Sequence, residues 1–272
     1  MQLNIRPFDF STMANDATVL LIGKRGTGKS TMLRNIMYHM RHKLDVGIAM
    51  CPTEDAATEE TGLRSFMPRT LIYDQLSTTA IRNFLDYQKG YISKNGKDRT
   101  RNGFIILDDC CSEKNALNNT EMREIHVNGR HRKIFLINAV QYIMEVGTLL
   151  RANIDYVFVL KDNNKPNKEK LHQIFFGMFG SKETFCTAMD SLTRGHSAMV
   201  VDNKSSSQKI EDCVFYFQGK PKLPPFTLCS QVYWDMSAAV YRDPSTVENV
   251  SKGLVVTRVS KSRKKKDVVA DA

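Results

Sequence analysis

Long apolar runs are missing from this sequence. Those it has are short, such as Val19-Leu20-Leu21-Ile22 and Phe104-Ile105-Ile106-Leu107, and a membrane helix needs ~20 such residues. No basic-then-apolar leader opens the chain either. Both absences predict a soluble, intracellular protein with no membrane span. C-x-x-C pairs and zinc-type Cys/His spacings are missing as well. The six cysteines, Cys51, Cys110, Cys111, Cys186, Cys213 and Cys229, are scattered, which points to reduced thiols and away from a disulfide framework or metal cluster. Acidic residues are in the minority, 29 against 39 basic ones, for a net charge of +10. A polyanion is therefore a plausible partner.

The excess of positive charge is uneven. Residues 251–272 carry seven bases and two acids, so this tail holds half of the net charge. A block of like charge reads as a solvated, disordered terminus, a nuclear-localisation signal or an arm that contacts phosphates. The remaining residues, 1–250, read as one domain, a length that buries a single sizeable core.

Within that domain, short β-branched runs alternate with stretches of helical spacing. Strands are expected at Thr18–Ile22, Val46–Met50, Arg69–Tyr73, Phe104–Leu107, Ile134–Ile137, Tyr156–Leu160, Ser197–Val201 and Val214–Phe217. Helices are expected from Lys29 to about Arg41, from Ser77 to about Ser93, over 118–128, near Met144–Leu150 and over Glu169–Asp190. This alternation predicts an α/β fold with a mainly parallel central sheet flanked by helices.

Between the first of these strands and the first helix stands Gly23-Lys24-Arg25-Gly26-Thr27-Gly28-Lys29-Ser30, a complete G-x-x-x-x-G-K-[ST] phosphate loop. Glycines let backbone N–H groups turn inward around an anion, where side chains would crowd it. The helix start adds open N–H donors and the positive end of its dipole. Lys29 is placed to reach the β- and γ-phosphates, Ser30 to hold Mg²⁺, and Thr31 to complete the nucleotide-binding segment.

A phosphate loop needs a buried strand ending in an acid, and Phe104-Ile105-Ile106-Leu107-Asp108-Asp109 supplies one. Asp108 is assigned to the metal and Asp109 to polarising the attacking water. Asn138 and Gln141 follow the next strand, where a polar side chain can sense the γ-phosphate, or can simply close a turn. The positive charge for the transition state has four candidates, Arg123, Arg130, Arg132 and Arg151. Arg130 is preferred and Arg151 stands second.

The guanine-reading N-K-x-D is absent, since none of Asn164-Lys165, Asn167-Lys168 and Asn203-Lys204 has Asp two residues after the Lys. That leaves ATP. Three readings remain: a motor ATPase, a small-molecule or nucleoside kinase, and a scaffold that only switches shape. The acid pair favours water activation and so hydrolysis.

With these motifs in place, the chain resembles the DNA-packaging ATPases of nucleocytoplasmic large DNA viruses, a branch of the FtsK/HerA superfamily of P-loop NTPases. The resemblance rests on "LLIGKRGTGKST", "FIILDDCC", "NGRHRKIFLINAVQY" and "LRANIDYVFVLKD". It implies an ATP- and Mg²⁺-dependent pump that threads double-stranded DNA into a preformed capsid. It also implies a homo-oligomeric ring with ATP at subunit boundaries, capsid or portal partners, and a place in the host cytoplasm, nucleus or virion. Gln141 would be the sensor and Arg130 the arginine offered to a neighbour. The family's second acid is often Glu; here it is Asp109.

Overall fold

Apolar β-branched runs bounded by turns suit strands buried on both faces. The computed structural model, which describes residues 3–58, 61–110, 117 and 119–241, uses them in this way. The strands are β1 (Arg6–Pro7), β2 (Thr18–Ile22), β3 (Val46–Met50), β4 (Ile72–Tyr73), β5 (Gly103–Asp108), β6 (Ile134–Val140), β7 (Tyr156–Val159), β8 (Ser197–Asp202) and β9 (Val214–Gln218). They form one sheet in the order β1-β9-β8-β7-β2-β6-β5-β3-β4. Every pair from β7 to β4 is parallel, whereas β8 runs antiparallel to both of its neighbours. The register at the centre sets Leu20 beside Asn138 and Leu107 beside Asn138.

Helices cover both faces. On one lies α1 (Lys29–Met40), whose Met32, Leu33, Ile36, Met37 and Met40 recur at helical spacing and are at most 1% exposed. They pack with Leu21, Phe104 and Phe135. Burial contributes about 1.5–3 kcal/mol per side chain of this size, and Ile36→Ala would cost ~2–5 kcal/mol through the cavity it leaves. The other face carries α2 (Thr78–Asn95), α3 (Thr120–Asn128), α4 (Thr148–Arg151), α5 (Lys165–Phe175), α6 (Lys182–Leu192) and α7 (Ile210–Cys213). Their apolar residues meet Ile105, Leu107, Leu136 and Val157. A last helix, α8 (Gln231–Val240), lies beside the β4 edge, where the Ser237 hydroxyl accepts from Thr70 N. No described helix is long and apolar enough to cross a membrane.

The α/β fold class expected from the sequence is the one observed, with differences in detail. The helix expected over Glu169–Asp190 is two helices. Gly180 has φ +70° and Ser181 caps α6 by accepting from Thr184 N, so the chain turns where one helix was expected. The strand expected at Arg69–Tyr73 begins as a 3-10 turn and keeps only Ile72–Tyr73. β1, α7 and α8 had no counterpart in the sequence reading. The basic tail, residues 251–272, lies outside the described residues.

Candidate nucleotide site

In a parallel sheet the loops at the carboxyl ends of the strands come together on one edge, and ligands bind there. Here that edge collects the turns after β2, β3, β5, β6 and β7. One cavity of 590 Å³ opens between them, lined by Gly26, Lys29, Ser30, Asp108, Asp109 and Gln141 among others. The turn after β2 is the phosphate loop. Gly26 (φ +79°) and Gly28 (φ +95°) hold left-handed backbone that L side chains rarely adopt. The Thr27 hydroxyl donates to Lys24 O at 2.7 Å and braces the loop from within.

The start of α1 differs from those of α2, α3, α5 and α6, and only α8 of the other long helices shares its lack of a side-chain cap among the described residues. α2, α3, α5 and α6 are each capped by a side chain, from Ser77, Asn119, Asn164 and Ser181. No side chain caps α1. Its first N–H groups are left open to the cavity, where an anion can take them.

Asp108 ends β5 with its side chain nearly buried, 7% exposed. The Cys51 thiol, at 4.0 Å, is its hydrogen-bonding neighbour. Burial pushes the Asp108 carboxyl up to about 6; nearby Lys29 opposes this, and Asp109 and Glu54 add to it. Burial likewise pushes the Cys51 thiol up to about 11, so it stays protonated and can donate. Asp109 stands in left-handed backbone, φ +56°, a conformation that costs roughly 1–2 kcal/mol for a residue with a Cβ. Its amide donates to Ala139 O at 3.1 Å, and Gln141 Nε2 donates to both carboxylate oxygens, at 2.8 and 3.0 Å. Asp109 is thereby turned toward the cavity and held there.

The structure thus brings together the cradle from Gly23 to Thr31, the acids Asp108 and Asp109, and Gln141. It separates Asn138 from them. Asn138 is buried one residue further down its strand, and neither of its side-chain polar atoms has a hydrogen-bond partner among the described residues. It also separates Arg130, which pairs with the buried Asp155 just before β7, while the other Asp155 oxygen accepts from Thr18 N at the start of β2. That is the opposite edge of the sheet, about 16 Å from the cradle at ~3.3 Å per strand residue. Arg132 pairs with Glu124, and Arg151 donates to Met144 Sδ and Thr148 Oγ1.

Several residues at this edge escaped the sequence reading. Thr53, Ala57 and Thr61 form a wall facing the cradle. Their loop is tied by Glu54, 2% exposed, whose carboxylate accepts from Leu63 N and Arg64 N at 2.9 Å each. Asp162, after β7, pairs with Lys24 of the loop at 2.8 Å and accepts from Asn164 N and the Asn167 side chain. Burial alone would raise its pKa, but these partners together hold it below the ordinary carboxylate value. The signal for Asp162 was present in Asp162-Asn163-Asn164-Lys165-Pro166, a helix-capping run with Pro in the first turn.

No protein-family model matches the chain. An uncharacterized protein of Acanthamoeba polyphaga mimivirus is 32% identical over 247 residues, covering 88% of this chain and 85% of that protein. Another from Invertebrate iridescent virus 3 is 32% identical over 201 residues, 74% of each chain. The chain belongs to this family of large-DNA-virus proteins. Among solved structures, the genome-packaging NTPase of Sulfolobus turreted icosahedral virus 2, bound to ATP-γ-S, superposes with a TM-score of 0.51 at 15% identity. It matches 78% of this chain and 100% of that one. The pCW3 conjugation coupling protein TcpA gives a TM-score of 0.50 at 11% identity, over 91% of this chain and 74% of that one. The fold of this chain is therefore that of a P-loop NTPase, in agreement with the resemblance drawn from the motifs.

Proposed function

We propose that the chain hydrolyses ATP and uses the energy to move double-stranded DNA into a viral capsid. The observation that carries the chemistry is the convergence of Lys29, Ser30, Asp108, Asp109 and Gln141 on one cavity beside an uncapped helix start. The open N–H groups of the loop and of α1 hold the phosphates, and Lys29 neutralises charge on the β- and γ-groups. Ser30 and Asp108 suit Mg²⁺. Asp108 is a buried carboxyl paired with no cation among the described residues, and a divalent ion favours its charged form. Held by Ser30 and Asp108, such an ion would supply positive charge against the charge that develops on the transferred phosphate. Asp109 takes the proton from the attacking water, and Gln141, donating to both of its oxygens, fixes its orientation.

The DNA half of the proposal is supported by the viral family, the packaging NTPase fold and the net charge of +10. Assembly into a ring is supported by the exposed apolar Tyr142, Met144 and Leu149, which follow Gln141 directly. Arg151 lies against Met144 on this same surface and lines one cavity with Arg130, so both stand as arginines a neighbour's cradle could receive. Capsid or portal components would then engage the assembled ring.

One experiment tests both halves: the ATPase rate with and without double-stranded DNA, together with the assembled mass in ATP. The expected result is a DNA-stimulated rate and an oligomer. An active enzyme indifferent to DNA would remove the motor, and phosphoryl transfer to a nucleoside would replace it with a kinase.

A further inference from the structure

The two sides of the phosphate cradle are chemically unlike. On the β6 and β5 side stand Asp108, Asp109 and Gln141, the groups that handle metal and water. The γ-phosphate must therefore point that way, and the nucleoside must leave the cradle on the other side, toward β7 and β8. β8 runs antiparallel to β7, so it begins at the edge where the parallel strands end. This brings Gly195-His196, just before β8, to the flank of the loop. The end of β9 arrives beside it, with Gly219 N donating to His196 O at 2.9 Å.

This flank is braced. Asn35 of α1, 1% exposed, donates to Thr31 O and Lys220 O and accepts from Lys220 N, at 2.8–2.9 Å. Gly219 is so close to α1 that a Cβ there would meet Met32 Cε at 3.3 Å and His196 O at 3.0 Å. The His196 ring itself is exposed, and its Nδ1 would lie 3.9 Å from a Cβ built on Gly28. An imidazole held by its backbone, open to solvent and within van der Waals reach of the cradle, is a flat surface on which no described residue stacks.

We infer that His196 forms a wall of the nucleoside subsite, stacking against the base or ribose of the nucleotide whose phosphates Gly23–Ser30 hold. Gly219 lets the end of β9 pack against α1, which seats His196 beside the loop. The inference rests on the reading of the cradle as an ATP site. His196 is an affinity-determining residue here and takes no part in the chemistry.

The test uses the full-length chain in Mg²⁺ and compares two competitors, ATP and inorganic tripolyphosphate, for a fluorescent ATP analogue. Wild type should bind ATP more tightly than tripolyphosphate. His196→Ala should weaken ATP about tenfold, a change of ~1.4 kcal/mol, and leave tripolyphosphate unchanged; His196→Phe should restore ATP. Unchanged ATP affinity in His196→Ala, or equal weakening of both competitors, would overturn the inference while the cradle reading stands. A wild-type chain that binds neither competitor would overturn the cradle reading and the inference with it.

Discussion

Two buried aspartates sit at opposite edges of one sheet, and the chain treats them differently. At the amino-terminal edge, Asp155 is completed by its own protein. Arg130 pairs with one oxygen and Thr18 N donates to the other. At the carboxyl-terminal edge, Asp108 is left with a thiol at 4.0 Å and no cation paired with it among the described residues. The first arrangement fastens β2 to β7. The second leaves a carboxyl buried without such a partner, which burial disfavours in its charged form. Burial is nearly equal in the two, so the difference lies in the partners alone, and on the proposed function it separates a structural acid from a metal-holding one.

The strongest way to break this comparison is through the chemistry. Lys29→Ala and Asp108→Asn should each lower ATP hydrolysis by at least ~10²-fold, with circular dichroism unchanged. Asp155→Ala should keep the rate, measured at a temperature where the variant is folded. A rate lost equally in Asp155→Ala would erase the distinction.

Stability should move the other way. The Asp108 carboxyl has its folded pKa raised from 3.8 to about 6. Between those values the unfolded chain releases a proton that the folded chain keeps, so stability falls as pH rises through this window and stays lowered above it. Asp108→Asn should therefore raise stability at pH 7 by up to about 3 kcal/mol and flatten that fall, read from urea midpoints without Mg²⁺ or nucleotide. Asp155→Ala should lower stability by about 2 kcal/mol, chiefly because Thr18 N loses its acceptor. The ion pair adds little to this, because Arg130 is more than half exposed and solvent screens it.

Smaller effects sharpen the same contrast. Gln141→Ala should slow hydrolysis about tenfold while ATP binding is kept, because Asp109 would lose the group that orients it. Single-turnover rates beside equilibrium binding separate the two. Asn138→Leu removes a buried amide with no partner and should raise the urea midpoint by the equivalent of about 1 kcal/mol. A fall would show that the amide is bonded in solution.

The parts legible in the sequence were those whose cause is local. β2 and β3 run over the residues expected, because an apolar β-branched run bounded by a turn has few alternatives. The phosphate loop was legible because its glycines and lysine are required in fixed order. β1 was not legible: Arg6–Pro7 has no strand pattern and is a strand because β9 offers an open edge. Glu54 and His196 were missed for a related reason. Each acts through a contact with another segment, and no spacing within its own segment marks it. The place of Arg130 was not legible either, because an arginine before a strand does not reveal which edge of the sheet its side chain serves.

The place of β2 in the sheet governs how the chain can be made. It is the second strand in sequence but lies between β6 and β7, so its first neighbour is not made until the ribosome has passed Ile134–Val140 and its second not until Tyr156–Val159. At ~5–20 residues per second, that leaves the apolar strand carrying the phosphate loop without partners for on the order of ten seconds. Through that interval it is a sticky, two-edged segment of the nascent chain. Folding of the catalytic edge is thus a late event, set by topology, and a truncation before β7 would yield a chain that aggregates before it could fold.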